Sequence, residues 1–317
     1  MQCIKTGYDE TRLSYGIKDT EQLEPTTPKG IMVMHTTVKR NLVTSAFLMG
    51  LGITPVLSEN LSAQDLSPNI GIVSFTLDDA YKNQHTNALP VMLKYKITGT
   101  LFIPTQNVGD RTDPDSIVMS WPEILDWKAA GWELGAHTHT HPYLTKLPET
   151  ELNAELGYSA ALIWRHTGTF PVSFASPYGD FDDRVLAAVR TIYEDQVSAW
   201  GGLEGIGDGF NALSSVDVYN IGRLGVERDT KVEKVCADIA RAATEHYWLV
   251  LEFHQIVESA IPGDEGKYQI PVGNFEQIAK CAAEAAQNGK LRIATVQEVL
   301  KAALPTRKST SLTKPSE

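Results

Sequence analysis

The chain is short of positive charge: 28 Lys and Arg stand against 39 Asp and Glu, a formal net charge of −11 over 317 residues. Nucleic-acid binding rests on clustered Lys and Arg, so this deficit excludes a phosphate-backbone ligand and fits neutral or cationic partners better. Cysteine is scarcer still. Cys3, Cys236 and Cys281 are the only three, and no CxxC pair exists. That spacing supplies neither a zinc ribbon nor a thioredoxin-like site. Cys236 in VEKVCADIARAA and Cys281 in FEQIAKCAAEAA lie in segments of helical apolar period, which favours small buried thiols over a disulfide between them. Histidine is sparse too, with eight residues, yet three of them fall in HTHTH, from His137 to His141.

A long hydrophobic run is also missing, apart from one near the start. From Met34, the stretch MHTTVKRNLVTSAFLMGLGITPVLSENLSAQ has Lys39 and Arg40, then an apolar stretch from Leu42 to Leu57, then Ser62 and Ala63 before Gln64. This is the layout of a signal peptide over 34–63, and it predicts export, periplasmic or secreted. Pro55 and the short apolar span disfavour a membrane-crossing helix, although an uncleaved signal could still act as an anchor. Residues 1–33 are polar, without hydrophobic period, and read as a disordered upstream extension that is not part of the native protein. The polar tail 305–317, PTRKSTSLTKPSE, is also expected to be disordered.

Between these ends, at 69–304, apolar β-type runs alternate with amphipathic helical patterns. GIVSFT, TLFIPT, WELGAH, PVSFAS, WLVLEFH and LRIAT read as strands. HTNALPVMLKYK, SWPEILDWKAAG, ETELNAELGYSAALIWRHTG, DDRVLAAVRTIYE, NFEQIAKCAAEAAQNG and VQEVLKAAL read as helices, and Ser120 with Glu123 has the spacing of a capping box. Repeated strand-then-helix units predict an α/β fold with a parallel sheet, and about seven of them predict a barrel.

The unusual polar residues fall at strand ends: Asp78 and Asp79 after the first strand, His137 after the third, Ser176 to Tyr178 after the fourth, and His254 after a late one. In parallel α/β folds the carboxyl ends of different strands converge on one mouth. Adjacent carboxylates repel unless a cation offsets them. Asp79 with His137 and His141 offers one oxygen and two imidazole nitrogens, a facial set that leaves positions open for water and substrate. Histidines four apart can share one side of a helical turn, with His139 pointing elsewhere. Taken singly, the Asp pair could be a turn, HTHTH a solvated loop and His254 a hydrogen-bonded core residue. Their joint placement is what points to a site.

FTLDDAY, GAHTHTHPYLTKL, FASPYGDFDD and LEFH, in this order, resemble the polysaccharide deacetylases of the NodB-homology group, carbohydrate esterase family 4, over roughly residues 70 to 300. The resemblance implies a distorted (β/α) barrel. It implies Asp78 as general base, Asp79, His137 and His141 as ligands of one divalent metal ion, Zn2+ with Co2+ or Ni2+ as alternatives, and His254 as general acid. The PYG motif maps onto Pro177, Tyr178 and Gly179 in the substrate-binding turn, with the Tyr178 backbone N–H as oxyanion donor. This chain departs from the family pattern in four places. TLDDA stands for TFDDG, Ala175 occupies the place of the arginine that normally holds the base, Glu252 replaces the leucine of LxH, and no DxxDW motif is found. Arg223, in YNIGRLGVE, is the candidate to supply the missing charge from another strand.

The expected activity is metal-assisted removal of acetyl groups from the N-acetylated sugars of a polysaccharide or oligosaccharide, with no stable protein partner. Two alternatives are an O-acetyl esterase on xylan-like glycans and a catalytically inactive carbohydrate-binding protein. Intact metal ligands, base and acid weigh against the last.

Overall fold

The computed structural model describes residues 70–203 and 207–303. The extension at 1–33, the signal peptide at 34–63 and the tail at 305–317 lie outside the described residues. No helix among the described residues is long and apolar enough to cross a membrane.

Strand β1 (Gly71–Leu77, GIVSFTL) is buried at every position. A strand covered on both faces belongs in the middle of a parallel sheet, and its two polar side chains must be satisfied internally. Ser74 Oγ donates to the Ala294 carbonyl, and Thr76 Oγ1 to that of Leu251. Gly71 has to be glycine, because a Cβ there would lie 2.1 Å from the Ala242 carbonyl oxygen.

The further strands are β2 (Thr100–Ile103), β3 (Glu133–Ala136), β4 (Ser173–Ala175), β5 (Asp195–Ser198), β6 (Phe210–Asn211), β7 (Ile221–Gly222), β8 (Leu224–Gly225), β9 (Trp248–Phe253), β10 (Gln255–Val257), β11 (Gln269–Pro271) and β12 (Leu291–Ile293). Parallel pairing runs β9-β1-β2-β3-β4-β5-β7. One residue beyond β7, β8 pairs in parallel with β9. The segment from Ile221 to Gly225 therefore faces β5 with its first half and β9 with its second, and it all but closes the ring. Counting that segment once, the staves are β1 to β5, β7 with β8, and β9, seven as expected, although β5 and the β7–β8 segment are not among the strands read from sequence and LRIAT, here β12, lies off the ring. β12 adds a parallel partner along the start of β1, β6 pairs antiparallel with β9, and β10 with β11 forms a small separate sheet.

The helices are α1 (Leu89–Tyr95), α2 (Trp121–Ala129), α3 (Glu149–Thr167), α4 (Asp183–Val189), α5 (Val232–Glu245), α6 (Val272–Gln287) and α7 (Val296–Ala303). At α2 the Glu123 carboxylate accepts from the Ser120 N–H at 2.8 Å, the interaction its spacing predicts. Helices α5 and α6 each bury an alanine-rich face, and there the thiol expectation fails. Cys236 and Cys281 form a disulfide joining the two helices, with Cα atoms 5.7 Å apart. Helical period shows that each cysteine shares a face with buried residues, but not that the two faces meet each other. Closing a loop of 45 residues in the unfolded chain contributes about 4 kcal/mol in the chain-entropy account.

Candidate active site

At the carboxyl end of the barrel, His137 follows β3 and is buried, and its Nδ1 meets the Ala175 carbonyl at 2.7 Å. A carbonyl only accepts, so Nδ1 carries the proton and Nε2 presents a lone pair. Burial holds the ring neutral, pushing its pKa down to about 4 against the pull of Asp78 and Asp79.

His141 reaches the same point by a route different from the one its spacing suggests. Residues 137 to 141 form a bend rather than a helical turn. Thr138 and His141 both adopt positive φ, at 66° and 62°. Thr138 Oγ1 accepts from the His141 N–H, and the Glu155 carboxylate of α3 accepts from the N–H groups of His139 and Thr140. His139 turns away, with Nδ1 2.9 Å from Thr105 Oγ1.

His141 Nε2 thereby stands 3.1 Å from His137 Nε2 and 3.3 Å from Asp79 Oδ1, and His137 Nε2 is 3.6 Å from the same oxygen. Donors at about 2.0 to 2.2 Å around a tetrahedral ion are roughly 3.3 to 3.6 Å apart. The lone pair of His137 Nε2, with His141 Nε2 and the Asp79 carboxylate beside it, makes a donor set that a divalent cation fits. Asp79 is drawn below the usual carboxylate range although burial opposes it, because it bonds to His141 and lies near His137. It too has positive φ, 72°, as does Ala80 at 51°. Ala80 stands where the family pattern has glycine, and it holds that backbone conformation without one.

Asp78 is buried beside this set, and Arg223 meets it with two bonds, Nη1 to Oδ1 at 2.8 Å and Nη2 to Oδ2 at 2.9 Å. Arg223 sits between β7 and β8, at the stave that closes the ring. The charge that the sequence lacks at Ala175 thus reaches Asp78 from a different strand. Burial alone would raise the Asp78 pKa, but Arg223, with help from His137, holds it well below the ordinary range. Arg223 Nη2 also meets Glu252 Oε1 at 2.9 Å, so one cation serves two buried carboxylates. Burial pushes Glu252 up, offset in part by Arg223 and reinforced by Asp78. His254, just past β9, lies with its Nε2 3.9 Å from Glu252 Oε1, and ligand-type atoms of Asp78, Glu252 and His254 fall within 4.8 Å of one another.

Pro177 opens a tight turn after β4, buried, with Tyr178 at φ 60° and Gly179 at φ 64°. The Tyr178 ring meets His141 edge-on, with centroids 4.7 Å apart. Asp78, Asp79, His137, His141, Tyr178, Gly179, Arg223, Glu252 and His254 line one open cavity of about 810 Å3.

A family model described as "Polysaccharide deacetylase" matches residues 66–193, the stretch holding Asp78, Asp79, His137, His141 and the PYG turn. Residues 66–193 thus have the sequence pattern of a polysaccharide deacetylase domain. Chitin deacetylase 1 of Cryptococcus neoformans var. grubii is 38% identical over 103 residues, 31% of this chain and 20% of that protein. The poly-beta-1,6-N-acetyl-D-glucosamine N-deacetylase of Staphylococcus aureus is 28% identical over 127 residues, 37% of this chain and 44% of its own length. The matches thus span less than half of either relative. Among solved structures, the Xyl-CE4 domain of a multidomain xylanase from the hindgut metagenome of Trinervitermes trinervoides aligns with 74% of this chain and 91% of its own at 15% identity, TM-score 0.49.

Two residues of this site carry no signal in the sequence. Glu155, one acid among several on α3, fastens the histidine bend through three bonds. Gln84, buried in a π-helical turn before α1, donates its amide to the carbonyls of both Asp78 and His254, at 2.6 and 2.7 Å. It ties the tips of β1 and β9, which carry the candidate base and acid. A wide helical turn of this kind is often found at functional sites, but nothing in the letters QHTNA announces one.

Proposed function

We propose that this protein hydrolyses the acetyl amide of N-acetylated sugars in a glycan, using one divalent ion, Zn2+ with Co2+ or Ni2+ as alternatives, held by Asp79, His137 and His141. The observation that carries this reading is the pairing of Arg223 with Asp78 beside that donor set, because it supplies an ionised base next to a cation site. Bound there, the ion would supply Lewis acidity toward the acetyl oxygen and the attacking water. Asp78 accepts the water proton, and Arg223 keeps the carboxylate aimed and charged. The Tyr178 N–H donates to the oxygen that gains charge as the carbonyl carbon becomes tetrahedral. His254 delivers a proton to the departing amine. The named relatives act on chitin and on poly-N-acetylglucosamine, which supports an N-acetylglucosamine polymer as substrate. The signal-peptide pattern at 34–63 supports action outside the cytoplasm.

The test is acetate release from chitin oligosaccharides, poly-N-acetylglucosamine and acetylated xylan, before and after chelation and on readdition of zinc. Chelator-sensitive release from the N-acetylated glycans is expected. Release from xylan alone would replace the reading with an O-acetyl esterase, and no release from any substrate by zinc-loaded protein would leave a glycan-binding role.

A further inference from the structure

The turn at Tyr178 adopts a backbone conformation that L residues other than glycine avoid, with φ 60° and ψ 9°. Something must hold it. The Tyr178 ring is fixed on one side, stacked on Tyr143 with centroids 4.0 Å apart and planes 15° from parallel. On the other side the Tyr178 carbonyl accepts a bond from the indole Nε1–H of Trp200 at 3.3 Å. The same indole lies against Gly179, where a Cβ would come 2.4 Å from Nε1 and 2.6 Å from Cδ1. Trp200 follows β5 and is itself anchored, its N–H donating to Ser198 Oγ at 3.2 Å. Its ring is 60% exposed, so burial in the core does not account for its placement.

The N–H of Tyr178 belongs to the peptide before its Cα and the carbonyl to the peptide after it. With the side chain held by Tyr143 and the carbonyl held by Trp200, both dihedrals between those peptides are set, and so is the direction of the N–H. We propose that Trp200 is a positioning residue for oxyanion stabilisation, acting through the Tyr178–Gly179 peptide. The inference rests on the deacetylase reading given above for the role of that N–H. It assigns a function to a side chain outside the motifs at Asp78, His137, Pro177 and His254.

Trp200→Phe keeps a ring over Gly179 and removes only the donor. Removing an oxyanion donor outright costs about 10² to 10³ in kcat, so loosening one is expected to cost about tenfold. The expected result is a roughly tenfold lower kcat on both an aryl acetate and an N-acetylated chito-oligosaccharide, with KM within about twofold and bound zinc unchanged. A raised KM for the oligosaccharide with unchanged kcat would overturn the proposal and make Trp200 a sugar-stacking surface. Amide hydrogen exchange tests the clamp without turnover. The N–H groups of Gly179 and Asp180 bond to the carbonyls of Ser176 and Pro177, and they should exchange faster in Trp200→Phe. Unchanged exchange at both overturns the clamp whatever the activity shows. Inactive wild-type protein with faster exchange in the variant would instead uphold the clamp and sink the deacetylase reading.

Discussion

Buried carboxylates lie at both ends of this barrel, and the two ends treat them differently. At the carboxyl end, Asp78 and Glu252 share the guanidinium of Arg223. At the amino end, Glu133 at the start of β3 accepts from the hydroxyls of Thr100 and Ser173 and from the Gln297 N–H at the start of α7. Ser173 Oγ also lies 3.0 Å from Asp195 Oδ2. Burial raises Glu133 against those bonds, while Arg223 keeps Asp78 low. Desolvation is the largest influence on both acids. Whether a cation stands within bonding distance decides which carboxyl is drawn down and which is pushed up.

The largest expected effect comes from taking away the charge that the upper cluster protects. Asp78→Asn should lower acetate release by about 10² to 10⁴-fold while zinc content stays at the wild-type level. Loss of zinc in this variant would show that Asp78 ligates the ion rather than acting as base. Removing the cation is next. Arg223→Met leaves two buried carboxylates facing each other and should cost about 3 to 5 kcal/mol in urea denaturation. Whatever activity survives should need higher pH, since Asp78 without Arg223 is raised by burial and must still be ionised to work. An unshifted acid limb of kcat/KM would mean that Arg223 does not set the base.

The lower cluster should respond in the opposite sense. A group raised in the folded state contributes stability that is complete below its unfolded value, here 4.5, and is lost as pH climbs through the folded value. Glu133→Gln has no such loss, so its stability relative to wild type should improve with pH, by about 1.4 kcal/mol per unit of upward shift. A constant difference between pH 4.5 and 8 would erase the contrast between the two ends. The smallest effect is expected at Ala80→Gly. Relief of the positive φ, about 1 kcal/mol, is offset by a buried methyl and by extra freedom in the unfolded chain, so the melting temperature should barely move.

The same contrast explains what the sequence reveals. β1 and β9 are legible because a stave covered on both faces is mostly apolar, as GIVSFTL and WLVLEF are apart from Ser74, Thr76 and Glu252. β5, DQVS, is equally buried but carries Asp195 and Gln196, whose side chains are met by Ser173 and Ser176 of the neighbouring stave, so no apolar run marks it. Two-residue strands such as β7 and β8 exist only by pairing and have no pattern of their own. The site is legible where its chemistry is local: the Asp pair, the histidine bend and the PYG turn each fit within five residues. Arg223 is visible as a charge in want of a reason, yet its two carboxylate partners are 145 and 29 residues away. Glu155 and Gln84 act through backbone groups, which any sequence possesses, and so leave no trace.

The stave at Ile221 to Gly225 serves two neighbours, β5 before Arg223 and β9 after it. A molecule whose ring parted at this seam would lose the guanidinium from Asp78 in the same movement, and its buried base would take up a proton. On the proposed function, damage or incomplete folding there would give a silent protein rather than a leaky hydrolase, a built-in interlock between the integrity of the wall and the readiness of the chemistry inside it.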